Sequence, residues 1–389
     1  MRRKERIINL ALASVFLVLS QCAVHFYPKP VSTEEKIQTN IAHSVDSFAA
    51  FLERNFIAYK SRSPKRQKVM IENYRFYADP KFKDPRNFYR SPPPIKDMKM
   101  ELLEEGKDYE LYLLSWKSLY EPVNPEFWKL YKNYKENWTA YAVYIKHKKP
   151  VECAMAIVHG WTGGDVTKKY NIRHNGLWRM FRLGFDVALL QQPYHGLREP
   201  KDSLFSGELF ISAEVSRLNE AMCQAVTDLR SLVHWLRRDH KLVGIRGGSL
   251  GGVVTLATAV AEPKLDFAIA LVPPSSWADI GTENKLVPYV IQGIWNSGIG
   301  LDEAKEVLYP ASPANYQPAI PKEDILIIAG MGDNFVPPLQ PILVWERWGK
   351  PQIYWYPGGH IVHFGKKKAE EVELEFIKRQ LKKLEKSTS

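Results

Sequence analysis

The run Leu242-Val243-Gly244-Ile245-Arg246-Gly247-Gly248-Ser249-Leu250-Gly251-Gly252-Val253-Val254-Thr255-Leu256-Ala257-Thr258-Ala259 changes character at one serine. Before Ser249 the residues read as a short apolar strand, and after it as a buried helix. Gly247 and Gly251 stand two positions to either side, completing a G-x-S-x-G pattern. A strand-to-helix turn this tight forces the serine into a strained backbone conformation. Small neighbours let strand and helix close around it. The hydroxyl is then lifted clear of the sheet and faces the first amides of the helix, so Ser249 is read as a nucleophile.

A serine hydroxyl attacks well only when a neighbouring base takes its proton and a third group orients that base. Downstream, Asp324-Ile325-Leu326-Ile327-Ile328-Ala329 reads as a buried strand running into Gly330-Met331-Gly332-Asp333-Asn334-Phe335-Val336-Pro337. Asp333 follows a glycine-rich turn and is the expected orienting acid; Asp279, beyond the strand Leu265–Leu271, is its rival. Next, Gln352–Tyr356 reads as a short strand leading to Pro357-Gly358-Gly359-His360. His360 is the expected base, ahead of His363 in the same stretch. Upstream, the strand Ala154–Val158 ends in His159-Gly160-Trp161-Thr162-Gly163-Gly164. The backbone N–H groups of Leu250 and Trp161 are assigned to an oxyanion hole, where each preorganised donor is typically worth about 3–4 kcal/mol in the transition state.

These four motifs, in this order, resemble those of the α/β-hydrolase superfamily over roughly residues 108–385. A fifth segment, Gln192-Pro193-Tyr194-His195-Gly196-Leu197-Arg198, is similar to a loop of that superfamily. Its P-Y-x-G-x-R form resembles the α/β-hydrolase domain-containing protein 18-like group. The chain departs from the common pattern at Gly248, where a larger residue usually precedes the serine, and at Trp161 after the oxyanion glycine. The resemblance implies an α/β fold with a mostly parallel central sheet flanked by helices, an N-terminal helical extension and a short cap insertion. It implies a serine hydrolase acting on carboxylic esters through Ser249, Asp333 and His360, with thioesterase, peptidase and non-catalytic binding readings as alternatives. His159, Gly160, Tyr194 and Trp277 are the expected substrate contacts, although a histidine in an H-G turn more often holds its loop. No His, Cys or carboxylate group has metal-ligand spacing, so no metal and no cofactor are expected.

The chain has 389 residues and a formal net charge of +11, with basic residues spread along its length. That balance fits solvated faces or loose attraction to anionic surfaces, and no nucleic-acid module or internal repeat is visible. Residues 1–24 combine the basic stub Met1–Arg6 with an apolar run from Ile7. They read as a signal peptide or membrane anchor, with Leu19-Ser20-Gln21-Cys22 similar to a lipoprotein cleavage site. Export with membrane tethering and a small-molecule or lipid-like ester substrate follow as expectations. Residues 25–107 are taken as a helical extension, from the amphipathic pattern that begins at Val45–Leu52, and a linker or surface loop, from the proline-rich Arg90-Ser91-Pro92-Pro93-Pro94-Ile95, and 108–389 as the catalytic domain. Within it, 273–320 is the cap-like insertion whose Trp277, Leu286, Val287, Tyr289, Ile291, Ile294 and Trp295 are apolar enough to line an acyl pocket. Dense aromatics between Tyr109 and Tyr144, Trp116 and Trp128 among them, are read as packing residues in preference to a polymer-binding platform. Cys153 and Cys223 are expected as buried free thiols, and the Asn137-Trp138-Thr139 sequon is discounted.

Overall fold

The computed structural model describes residues 28–52, 73–283, 294 and 298–388. Among these, nine strands form one sheet in the order β1-β2-β3-β5-β4-β6-β7-β8-β9. The first three are β1 (Lys99–Glu105), β2 (Tyr109–Lys117) and β3 (Thr139–His147). They form an antiparallel meander that also joins β5 antiparallel. The remaining strands, β4 (Cys153–Val158), β5 (Phe185–Leu190), β6 (Leu242–Gly248), β7 (Phe267–Leu271), β8 (Ile325–Gly330) and β9 (Gln352–Tyr356), run parallel.

The sequence explains this division. Every residue of β4, β5 and β8 is buried, as continuous apolar runs must be when helices cover both faces of a parallel sheet. By contrast β1 is exposed along its whole length and carries Lys99, Glu101, Glu104 and Glu105, charges that guard an open sheet edge against further pairing.

Helices α1 (Thr33–Leu52), α2 (Val215–Leu236), α3 (Leu250–Ala261), α4 (Leu339–Arg347) and α5 (Lys366–Thr388) are the longest described. One face of the sheet shares its core with α2, α3 and the aromatic segment Tyr77–Tyr89, while the other packs on α5 and the short helices around residues 169–181. Almost every residue of α3 is buried. It can enter the sheet this closely because a Cβ on Gly251 would lie 2.2 Å from the Val158 carbonyl oxygen.

The expected boundary near residue 107 does not coincide with a structural one. The sheet begins at Lys99, and the preceding segment belongs to the main core. Phe82 and Phe88 are fully buried, and the Tyr77 hydroxyl donates to Glu220 on α2 at 2.6 Å. The proline run looks like a linker locally because what holds it comes from distant α2, whose Arg230 donates to the Tyr89 and Arg90 carbonyls at 2.9 and 3.0 Å. Most of the aromatics from Trp116 to Tyr134 are buried in that core, although Trp128 is half exposed and stacks on Trp138. Cys153 and Cys223 are buried and free, and Asn137 is buried with its side chain accepting the Tyr194 N–H at 2.7 Å.

Residues 1–24 lie outside the described residues, as do Leu286, Val287, Tyr289, Ile291 and Trp295. Among the described residues no helix is long and apolar enough to cross a membrane.

Candidate active site

Ser249 sits where β6 ends and α3 begins, at φ 55° and ψ −120°. A non-glycine residue there is strained, and such strain persists only where surrounding packing enforces it. Here the enforcement is visible. The Ser249 N–H donates to the Leu271 carbonyl at 2.9 Å, and its own carbonyl accepts from the Gly252 and Val253 amides of α3. Its hydroxyl therefore stands at the N-terminus of a helix whose first N–H groups have no intrahelical partner.

His360 reaches this hydroxyl from the loop after β9. Its Nε2 lies 2.9 Å from Ser249 Oγ, and its Nδ1 lies 2.8 Å from Asp333 Oδ2. Asp333 is buried at the end of β8, and its second oxygen accepts the Phe335 and Val336 N–H groups at 2.9 and 2.7 Å. The carboxylate is thus fixed by its own turn and aimed at the imidazole. Burial depresses the His360 pKa, but the Asp333 charge and hydrogen bond, with a smaller contribution from Asp46, outweigh it and the net shift is upward. The ring of Phe335 stacks on the His360 imidazole at 5.3 Å. The rival acid Asp279 is engaged elsewhere, with Ser276 Oγ at 2.6 Å and Lys305 at 3.8 Å.

The H-G turn closes the other side. A Cβ on Gly160 would come within 3.5 Å of both Ser249 Cβ and the Gly248 carbonyl oxygen. Gly160, Trp161, Gly248, Ser249 and His360 line one cavity of about 490 Å³. Trp161 is held by its indole N–H, which donates to the Gly207 carbonyl at 2.8 Å. Val272, at the cavity wall, also carries a positive φ of 42°.

The scaffold that carries this arrangement matches known proteins. The prolyl oligopeptidase family matches over residues 224–383, a span that contains Ser249, Asp333 and His360 but less than half of the chain. The acetyl xylan esterase from Paenibacillus sp. R4 superimposes with a TM-score of 0.54 at 13% identity, covering 80% of this chain and 95% of that one. Acetyl xylan esterase 1 from Thermoanaerobacterium sp. JW/SL YS485 gives 0.53 at 16% identity, covering 80% and 94%. The chain has the α/β-hydrolase fold. It is also 27% identical over 300 residues to the uncharacterized protein Rv2627c of Mycobacterium tuberculosis, which spans 72% of this chain and 67% of the relative.

Not every residue expected at the site arrives there. His159 turns inward: its Nε2 accepts the Gln192 N–H at 3.1 Å, and its Nδ1 donates to the Gly160 carbonyl at 2.8 Å. Burial lowers its pKa to about 4, so it is a neutral loop-holding group. Tyr194 is wholly buried at φ 62° with its backbone tied to Asn137, and Trp277 is packed in the core with its backbone N–H donating to Ser312 Oγ. Neither they nor His159 line the cavity, because a motif position does not report which way its side chain turns. Among the described residues the cavity lining also includes the charged and titratable groups Arg173, His174, Arg246, Lys366, Glu370 and Glu373, beside apolar Val158, Leu271, Ile328 and Ala369. Arg246 projects from β6 and pairs with Glu373 at 2.5 Å, and burial with the nearby Arg179 charge lowers its pKa to about 9.

A further residue was missed altogether. Asp46, on α1, is fully buried against the histidine loop. A lone aspartate in an amphipathic helix carries no sequence signal for such a position.

Proposed function

We propose that this α/β-hydrolase is a serine esterase in which Ser249 is the nucleophile, His360 the general base and acid, and Asp333 the group that orients His360. The observation that carries the reading is the unbroken chain from Ser249 Oγ through His360 to Asp333, with both links under 3 Å. Ser249 Oγ attacks the carbonyl carbon while its proton passes to His360 Nε2. The amides of Leu250 and Trp161 receive the oxyanion. The bond to the leaving alkoxide then breaks, and His360 returns the proton to it. Water next attacks the acyl-enzyme, giving a proton to Nε2, and Ser249 leaves with that proton as the acid is released.

A cavity of about 490 Å³ that carries Arg173, Arg246, Lys366, Glu370 and Glu373 beside its apolar residues fits a small ester with a polar body. The match to the prolyl oligopeptidase family favours a second reading, amide cleavage by the same three residues. Residues 1–24 support placing the protein outside the cytoplasm on a membrane tether, and fractionation of cells expressing the wild type and Cys22→Ala tests that placement.

The deciding experiment on the chemistry is labelling of purified protein with a fluorophosphonate, alongside p-nitrophenyl esters of rising chain length, a thioester and peptide p-nitroanilides. Labelling and ester turnover that vanish in Ser249→Ala are the expected result. Turnover of the anilides alone would move the assignment to a peptidase, and full activity in Ser249→Ala would overturn both.

A further inference from the structure

Helix α1 lies directly on the two loops that supply His360 and Asp333. Its residues Thr39, Ala42, Asp46 and Ala50 are all buried and recur at helical spacing, so they form one stripe facing the domain. Contact is close enough to exclude side chains. A Cβ on Gly332, next to Asp333, would lie 2.5 Å from the Thr39 carbonyl oxygen, and one on Gly359, next to His360, would lie 2.4 Å from Asp46 Oδ2. The glycines of both motifs therefore admit this helix.

At the centre of the contact the Asp46 carboxylate gathers three backbone amides. Oδ2 accepts the His360 N–H at 2.6 Å and the Asn334 N–H at 3.2 Å, and Oδ1 accepts the Ile361 N–H at 3.0 Å. The neighbouring Ser47 hydroxyl accepts from the Asn334 side chain at 2.8 Å. One carboxylate thus ties the acid turn to the histidine loop. Without it, Gly358-Gly359 would leave the His360 backbone a flexible approach to Ser249.

We propose that Asp46 is a positioning residue for His360, so that helix α1 docked across both loops is part of the working site. The inference rests on the serine-hydrolase reading above and adds a residue from outside the sheet to it. The charged and titratable groups facing Asp46 are Asp333 from the acid turn, His360 from its own loop and Tyr356 from β9. Burial, reinforced by the Asp333 charge, pushes the Asp46 pKa up to about 6 against the pull of its three amides. Its negative charge in turn helps to keep the His360 pKa high.

The test compares full-length wild type, Asp46→Asn, Asp46→Ala and the exposed α1 control Asn40→Ala, each checked by thermal unfolding. Asp46→Asn is expected to lower kcat on a p-nitrophenyl ester about 10–100-fold with little change in KM, the scale of loss that follows a small misplacement of a catalytic group. Removing the negative charge also lowers the His360 pKa, so the acid limb of kcat/KM moves to lower pH. Asn40→Ala should match wild type. A folded Asp46→Asn with wild-type kcat and an unmoved acid limb would overturn the proposal. So would a loss of activity that only tracks a lower melting temperature, with the pH profile unchanged. If wild type neither labels nor turns over any substrate, the hydrolase reading fails by itself. The low-field proton resonance of the His360 Nδ1–H, present in wild type and lost or shifted in Asp46→Asn, then still reports the positioning; an identical resonance in both overturns it.

Discussion

The Arg198 guanidinium donates to the Asp228 carboxylate at 2.8 Å with neither side chain exposed to solvent. Arg198 ends the loop that follows β5 and Asp228 lies in the middle of α2, so the pair fastens that loop to the helix. Arg198 also donates to the Gln191 and Asn137 carbonyls, at 3.2 and 2.9 Å. Removing one partner strands a buried charge, which typically costs about 3–5 kcal/mol. Arg198→Ala should therefore lower the urea midpoint sharply, and Arg198→Met combined with Asp228→Leu should regain much of the loss. A single variant that unfolds at the wild-type midpoint would show that the pair does not hold the loop.

Asp333 and Asp279 make opposite predictions. Asp333→Asn keeps the shape of the turn but removes the charge that holds the His360 tautomer, and a loss of about 10⁴ in kcat is expected by analogy with serine proteases. Asp279→Asn should leave kcat within a factor of about two, because its carboxylate engages Ser276 and Lys305 rather than His360. Steady-state kinetics of the two variants side by side decide between them.

The elbow glycines are not equivalent. A Cβ at Gly251 would lie 2.2 Å from a backbone oxygen of β4, whereas the nearest atom to one at Gly248 is 3.9 Å away. Gly251→Ala should destabilise the fold by about 1–3 kcal/mol, the usual penalty for overpacking. Gly248→Ala should fold normally and only narrow the cavity beside Ser249. Chemical denaturation of both proteins checks the contrast.

His360 must be neutral to accept the Ser249 proton, and its pKa is raised above 6.5 by Asp333 and Asp46. Activity therefore falls as pH drops through that raised value. The acid limb of kcat/KM should lie above the ordinary imidazole range in wild type, and Asp333→Asn should bring it down. An acid limb that does not move in Asp333→Asn would contradict control of the His360 proton by Asp333.

How much of this site was legible follows from where each signal resides. Ser249, Asp333 and His360 could be read because each lies at the carboxyl end of a strand and carries its glycines beside it, within a few residues. Gly160 and Trp161 could be read for the same reason. His159, Tyr194 and Trp277 were misplaced because the direction of a side chain depends on what packs behind it. His159 turns toward the Gln192 amide, and nothing in the H-G turn announces that partner. The boundary near residue 107 failed similarly, since Phe82 and Phe88 owe their burial to α2 and α3, far along the chain.

The amino-acid sequence by itself determined the alternation of apolar strand, tight turn and helix that produces the nine-stranded sheet and lifts Ser249 above it. Those features depend on backbone conformations and burial patterns that neighbouring residues dictate. Only the tertiary structure decided that Arg173, Arg246, Lys366, Glu370 and Glu373 join apolar residues around the cavity and that Asp46 stands behind His360, 314 positions away. Such contacts arise when a complete fold brings together surfaces that share no local pattern. Burial then gives one carboxylate an influence over the histidine loop that it would not have in water.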